Sequence, residues 1–148
     1  MTRLFTIGHS NHTPEYFTDL LQLHDIAAVY DVRSQPYSRF SPQFRRENLQ
    51  TILREAGIDY VYIGDYLGGK PKPAPSRFEA GLNRLRRDAP RRRIAIMCAE
   101  KDPLNCHRTW TIAQALADME IVHILPDGKL RVHAELMKDQ PSQQAALF

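Results

Sequence analysis

Hydrophobic positions fall in short bursts separated by longer amphipathic stretches, and this alternation continues along most of the chain. Leu4-Phe5-Thr6-Ile7, ended by Gly8, reads as a buried strand. Thr13 then Pro14 marks a helix start, with threonine as N-cap and proline at the first helical position. Phe17, Leu20, Leu21 and Leu23 supply its apolar face. A second strand over Ile26–Tyr30 runs into Asp31-Val32-Arg33. The serines and prolines from Ser34 to Pro42 predict a loop. A helix is expected from Gln43 to Ala56, with Phe44, Leu49, Ile52 and Leu53 inward and Gly57 as its stop.

Strict alternation over Ile58–Ile63 predicts a third strand, and the glycines and prolines of Gly64–Pro75 predict irregular chain. Ser76 is the expected cap of a helix to Arg87, with Phe78, Leu82 and Leu85 inward. Arg93–Cys98 reads as the fourth strand, Cys106–Met119 as a helix and Ile121–Leu125 as the fifth strand, followed by a turn at Asp127-Gly128. Leu130–Leu136 is ambiguous by pattern, and the chain turns polar from Lys138.

Regular strand–helix alternation implies an α/β fold. The expectation is a single three-layer domain over residues 1–137, with a mostly parallel five-stranded sheet and helices on both faces, Rossmann-like or flavodoxin-like. A flexible polar tail, 138–148, would follow. In such sheets ligands sit at the carboxyl ends of the strands. Those ends carry Gly8-His9, Asp31-Val32-Arg33-Ser34, Gly64 to Lys70, and Cys98-Ala99-Glu100. Reactive side chains from distant parts of the chain are thus predicted to meet along one edge.

Composition narrows the class. The 148 residues are 43% hydrophobic and 25% charged, ordinary for one globular domain. No apolar run is long enough to span a bilayer, and a strand pattern begins at once, so a cytoplasmic protein is expected. A net charge of +3 comes with clustered arginines, including Arg33 and Arg39, which suit either a solvated surface or phosphate.

The segment Cys98 to Arg108 concentrates the chemistry, holding both cysteines together with Glu100, His107 and Arg108. In that compartment the cysteines read as thiols or ligands rather than a bridge. Three chemistries fit. Cys98 can be a nucleophile activated by His107, Arg108 and the following helix N-terminus. Cys98, Cys106 and His107, with His9 or Glu100, can bind zinc or another metal. Or the thiols fill space while Glu100 acts as general acid or base and Arg108 holds an anion, the reading favoured by a carboxylate one residue past a buried strand.

Asp31 would share the acid–base work, and His9 and His107 would orient or shuttle protons. Arg33, Ser34, Arg39, Cys106 and Arg108 would hold the substrate, with Gly68 and Gly69 letting backbone amides approach it. His12 reads as structural, and His123, inside an apolar strand, as a satisfied core histidine. Gly64 to Lys70 has the glycine–lysine spacing of a phosphate loop, but Pro71 stands where that motif needs serine or threonine, which argues against nucleotide hydrolysis there.

Taken together, Thr6-Ile7-Gly8-His9-Ser10, Asp31-Val32-Arg33, Pro36 to Arg39, Leu67-Gly68-Gly69, Cys98 to Glu100 and Cys106-His107-Arg108 resemble the bacterial family known as domain of unknown function 488, over residues 3–134. The resemblance implies a compact α/β domain and brings no established reaction. The Asp-Val-Arg strand end is also similar to that of rhodaneses, but the cysteine loop departs from theirs.

The functional expectation is therefore a crevice for a phosphate-bearing nucleotide, nucleoside or nucleic acid. One alternative is a non-catalytic DNA-associated module whose terminal Gln144-Ala145-Ala146-Leu147-Phe148 docks on a sliding clamp through Gln144, Leu147 and Phe148. Another is a metal-binding or thiol redox protein built on Cys98 and Cys106.

Overall fold

The computed structural model describes residues 1–37 and 40–140. Its centre is a six-stranded sheet, one strand more than expected. In chain order the strands are β1 (Arg3–Gly8), β2 (Ala28–Asp31), β3 (Asp59–Tyr62), β4 (Ile94–Cys98), β5 (Glu120–Ile124) and β6 (Leu130–Val132). In space they run β3-β2-β4-β1-β5-β6. The first five are parallel; β6 pairs antiparallel with β5. The sixth strand escaped the pattern because three residues are too few to show a period. It pairs through the turn already marked by Asp127-Gly128.

Alternation along each strand sorts side chains between two cores. Leu4, Tyr30, Ile94, Ile96 and Ile121 face one side, where Leu67, Leu82, Leu85, Ile112 and Leu116 pack on them. Phe5, Ile7, Val29, Ala95, Met97 and Val122 face the other, against Phe17, Leu20, Leu21, Phe44, Leu49 and Leu53. Both faces of the parallel strands are therefore covered, which explains why those strands read as apolar runs.

Helix α1 (Pro14–Leu23) begins as expected, with Thr13 Oγ1 accepting from the Tyr16 amide at 3.1 Å. A single 3₁₀ turn, Pro42–Phe44, leads into α2 (Arg46–Glu55). The stretch after β3 is not wholly irregular: Gly64–Leu67 forms one helical turn, α3. Helix α4 (Pro75–Asp88) starts at its proline, whose fixed φ suits the first helical position, so Ser76 lies inside the helix and does not cap it.

After β4 the chain makes a 3₁₀ turn at Pro103–Asn105. It then winds as a π-helix over Arg108–Ala113 and gives way to a turn by Leu116, in place of the long helix expected to Met119. π-Turns of this kind gather at functional sites. The last helix, α5, covers His133–Lys138. Among the described residues no helix is long and apolar enough to cross a membrane.

Candidate functional site

The strand order creates the crevice. After β1 and β2 the chain returns through α1 and α2 on one face of the sheet. After β3 and β4 it returns through α3, α4 and the π-helical segment on the other. β4 lies between β2 and β1, so the loops diverge around its carboxyl end. A cavity of about 380 Å³ opens there. Its walls include His9 from β1, Arg33, Ser34 and Tyr37 from β2, Gly69 and Lys70 from β3, and Cys98, Glu100, Cys106 and His107 from β4 and its loop.

One wall is built around a buried ion pair. Arg33 Nε donates to Asp31 Oδ1 at 2.9 Å and Nη2 to Oδ2 at 2.8 Å. Tyr60 Oη donates to the same carboxylate at 2.6 Å, and burial beside that charge pushes the phenol pKa up. Arg33 Nη1 donates to the Phe44 carbonyl at 2.8 Å and faces His9 Nε2 at 3.3 Å. Asp31 is completely buried and does not line the cavity. The acid–base role expected of Asp31 is therefore corrected: its oxygens are taken up by Arg33 and Tyr60.

His9 Nδ1 donates to the Ser10 carbonyl at 2.8 Å, which leaves Nε2 as an acceptor toward Arg33. Desolvation pulls its pKa down to about 4, so it is neutral at physiological pH. The neutral ring packs 4.8 Å from Phe44.

Cys98 and Cys106 line the cavity, and the Arg108 guanidinium lies beneath them without lining it. Cys98 and Cys106 are joined in a disulfide, against the expectation of two free thiols, because the end of β4 and the turn before the π-helix bring the residues together. Arg108 is wholly buried. Its Nη1 donates to Cys98 Sγ at 2.6 Å and to the Glu100 carbonyl at 2.7 Å, and its Nε donates to Thr6 Oγ1 at 3.1 Å. Nη2 is buried without a hydrogen-bond partner among the described residues. None of these bonds reaches a carboxylate, and desolvation lowers the guanidinium pKa to about 10. Gly8 makes this approach possible: a Cβ there would lie 1.7 Å from the Glu100 carbonyl oxygen and 3.1 Å from Arg108 Nη1.

Behind Arg108 runs a buried chain of hydrogen bonds. Thr6 Oγ1 lies 2.6 Å from His123 Nδ1, His123 Nε2 lies 3.0 Å from His133 Nδ1, and His133 Nε2 lies 3.0 Å from Gln114 Oε1. An amide oxygen only accepts, so His133 carries its proton on Nε2 and accepts at Nδ1. His123 then donates from Nε2 and accepts from the Thr6 hydroxyl, while Thr6 accepts from Arg108. With both imidazoles neutral, every link is satisfied in this one direction. Burial accordingly lowers both pKa values, that of His123 to about 3.

Several expected residues take different places. Glu100 lines the rim with an exposed side chain, and its backbone carbonyl is what Arg108 binds. Ser34 Oγ accepts from the Lys70 amide at 2.9 Å, holding the β3 loop. Gly68 does not line the cavity; a Cβ there would lie 2.5 Å from Ser34 Oγ and from the Gly64 carbonyl oxygen, so it serves loop packing. Gly69 does line it.

His107 is half-buried, its pKa lowered by desolvation. The Leu67 and Val32 backbones offset part of that shift, and His107 Nε2 is buried without a hydrogen-bond partner among the described residues. Among the described residues no group of three or more His, Cys, Asp or Glu side chains is arranged to hold a metal ion, and the two cysteines offered as zinc ligands are bonded to each other. Arg39 and the tail residues Gln144, Leu147 and Phe148 lie outside the described residues.

Sequence reasoning missed Thr6, Tyr60 and the His123–His133 link. Thr6 had a signal, a lone hydroxyl in an apolar strand. Tyr60 and His133 had none, since their partners are distant in sequence.

In comparisons with known proteins, the model of the family described as "Domain of unknown function DUF488" matches residues 13–76 and 72–116. No curated protein and no solved structure matches the chain. With most of the chain covered, including the Asp31-Val32-Arg33 clamp and the cysteine loop, this protein belongs to the domain of unknown function 488 family.

Proposed function

We propose that the crevice binds a phosphate-bearing ligand of nucleotide type and acts on it by acid–base chemistry. The observation that carries this reading is the make-up of one cavity at the strand carboxyl ends. Its lining combines the clamped Arg33 and Lys70 with the amides of Gln35 and Asn105 and the ring of Tyr37. Asp31 cancels the charge of Arg33. Lys70 on the wall and Arg108 beneath it therefore outweigh Glu100, and a phosphate is the fitting counter-charge.

Arg33 is held by three neighbours, so binding to it would cost little further ordering. The exposed Tyr37 ring offers a stacking face for a base, and the two amides offer donors and acceptors for its edge. Glu100 at the rim and His107 deeper in are the groups left to exchange protons. The family membership adds no reaction. A nucleotide-type ligand would place the protein in the cytoplasm.

Calorimetric titration tests the reading. A nucleoside monophosphate is expected to bind more tightly than inorganic phosphate or the nucleoside alone. Lys70→Ala is expected to weaken it by about tenfold, the size of one lost charged hydrogen bond. Turnover is followed as released base or phosphate, and Glu100→Gln is expected to abolish it with little change in Tm. Failure of all three ligands to bind at millimolar concentration would overturn the proposal. Steeply salt-dependent DNA binding without nucleotide binding would replace it with the non-catalytic DNA-associated module.

A further inference from the structure

We propose that Cys98 and Cys106 are a redox-active pair in which reduced Cys98 is a thiolate held by Arg108, reacts with a small hydroperoxide, and is closed by Cys106 into the disulfide of this structure. The starting point is the charge of Arg108. Its guanidinium is wholly buried, and the acceptors it reaches besides sulfur are the Thr6 hydroxyl and the Glu100 carbonyl, both neutral. The Asp102 and Glu100 carboxylates attract it only through space, and a buried cation with no hydrogen-bonded counter-charge is unfavourable. In the disulfide form, Cys98 Sγ, 2.6 Å from Nη1, is neutral too. Reduction changes that, because a thiol at this position can become the missing anion. The fold thus favours ionised Cys98 whenever the bond is open.

The second sulfur is placed to finish the reaction. Cys106 Sγ accepts from the Arg108 backbone amide at 3.4 Å and lies against Cys98 Sγ. His107 Nδ1 lies 3.8 Å from Cys106 Sγ. Both cysteines line the cavity yet are only 3% and 5% exposed. That burial excludes a protein disulfide as oxidant and admits a reagent of a few atoms. If the protein is cytoplasmic, a disulfide there is expected to be transient and catalytic or sensing.

The chemistry balances with two named co-reactants. The Cys98 thiolate attacks the terminal oxygen of the hydroperoxide; the O–O bond breaks, an S–O bond forms, and the departing alkoxide takes up a proton. Cys98 is then a sulfenic acid. Cys106 attacks the Cys98 sulfur, the S–O bond breaks, and hydroxide leaves as water with the Cys106 proton. The peroxide has gained two electrons and the cysteine pair has lost them. A small dithiol returns both electrons and both protons, itself ending as a cyclic disulfide.

The test uses the full chain, reduced with dithiothreitol and freed of excess reagent. Hydrogen peroxide is expected to remove both thiols and leave the intact protein two hydrogens lighter by mass. Cys106→Ser is expected to stop at a species one oxygen heavier that a sulfenic-acid trap captures; Cys98→Ser is expected to be unreactive. In Cys106→Ser, Cys98 should alkylate with iodoacetamide at pH 7 about tenfold faster than free cysteine, with an apparent pKa below the ordinary value of about 8.5.

Thiols that survive peroxide, oxidation that begins at Cys106, or an ordinary alkylation profile for Cys98 would each overturn the proposal. The alkylation measurement also serves if Cys98→Ser does not fold. Peroxide consumption is read on reduced protein without any phosphate ligand, and nucleotide binding is read on the disulfide form, in which no thiolate offsets Arg108, so this inference and the nucleotide reading fail separately.

Discussion

Asp31 and Arg33 show how two residues in one tripeptide can exchange expected roles. Both were candidates for chemistry, but the carboxylate is wholly buried and accepts from Arg33 and Tyr60, while the arginine reaches the cavity wall. Breaking such a pair from one side leaves an uncompensated buried charge. Asp31→Ala is therefore expected to lower stability by about 3–5 kcal/mol. Adding Arg33→Met should recover part of that loss, since no charge is then stranded. Urea unfolding of the single and double variants checks this; a single variant as stable as the parent would mean that Asp31 does not hold Arg33. The same logic makes the buried Arg108 informative: Asp102 and Glu100 act on its charge only through space, while Cys98 sulfur touches it.

At the scale of elements, the close seam between β1 and β4 governs the site. Gly8 pairs with Cys98 in register, and the His9 amide donates to the Cys98 carbonyl at 2.9 Å. The Glu100 carbonyl folds back over Gly8 so tightly that a methyl group has no room. Gly8→Ala must displace backbone rather than a flexible side-chain tip. It is expected to cost on the order of 3 kcal/mol and to move the Glu100 carbonyl off Arg108. Thermal and urea unfolding measure it, and a change within about 0.5 kcal/mol would show that the seam is looser than described.

The elements themselves were largely legible. Thr13-Pro14 opens α1 and Gly8 ends β1, as their local chemistry demands. The departures are β6, α3 and the π-wound Arg108–Ala113, each too short or too irregular for a periodic signal.

For the whole molecule, the buried histidines set a pH dependence. His9 and His123 have folded pKa values lowered to about 4 and about 3, against about 6.5 when unfolded. The folded state therefore binds fewer protons than the unfolded chain between those limits. The stability that depends on neutral imidazoles is complete above pH 6.5 and is lost as pH falls toward the folded values. His107 and His133 shift in the same direction. Unfolding free energy is expected to fall by about 2–3 kcal/mol per pH unit between pH 6 and 5, above the range where carboxylates titrate. His123→Gln should reduce that slope by one histidine's share. A flat profile between pH 6 and 5 would mean that these imidazoles are not held neutral.

By itself the sequence determined the α/β class, most element positions, and the edge of the sheet where His9, Arg33, Cys98 and His107 gather. Those features follow from local periodicity and from one topological rule, and both can be read along the chain. Tertiary structure alone decided what each gathered residue does. Thr6 meets Arg108 across 102 positions, and Tyr60 meets Asp31 across 29. Such pairings arise from strand register and from the need to satisfy every buried polar atom, and neither is written in the neighbours of any single residue. That is why the carboxylate expected to react became a clamp, and why two cysteines expected as separate thiols became one pair.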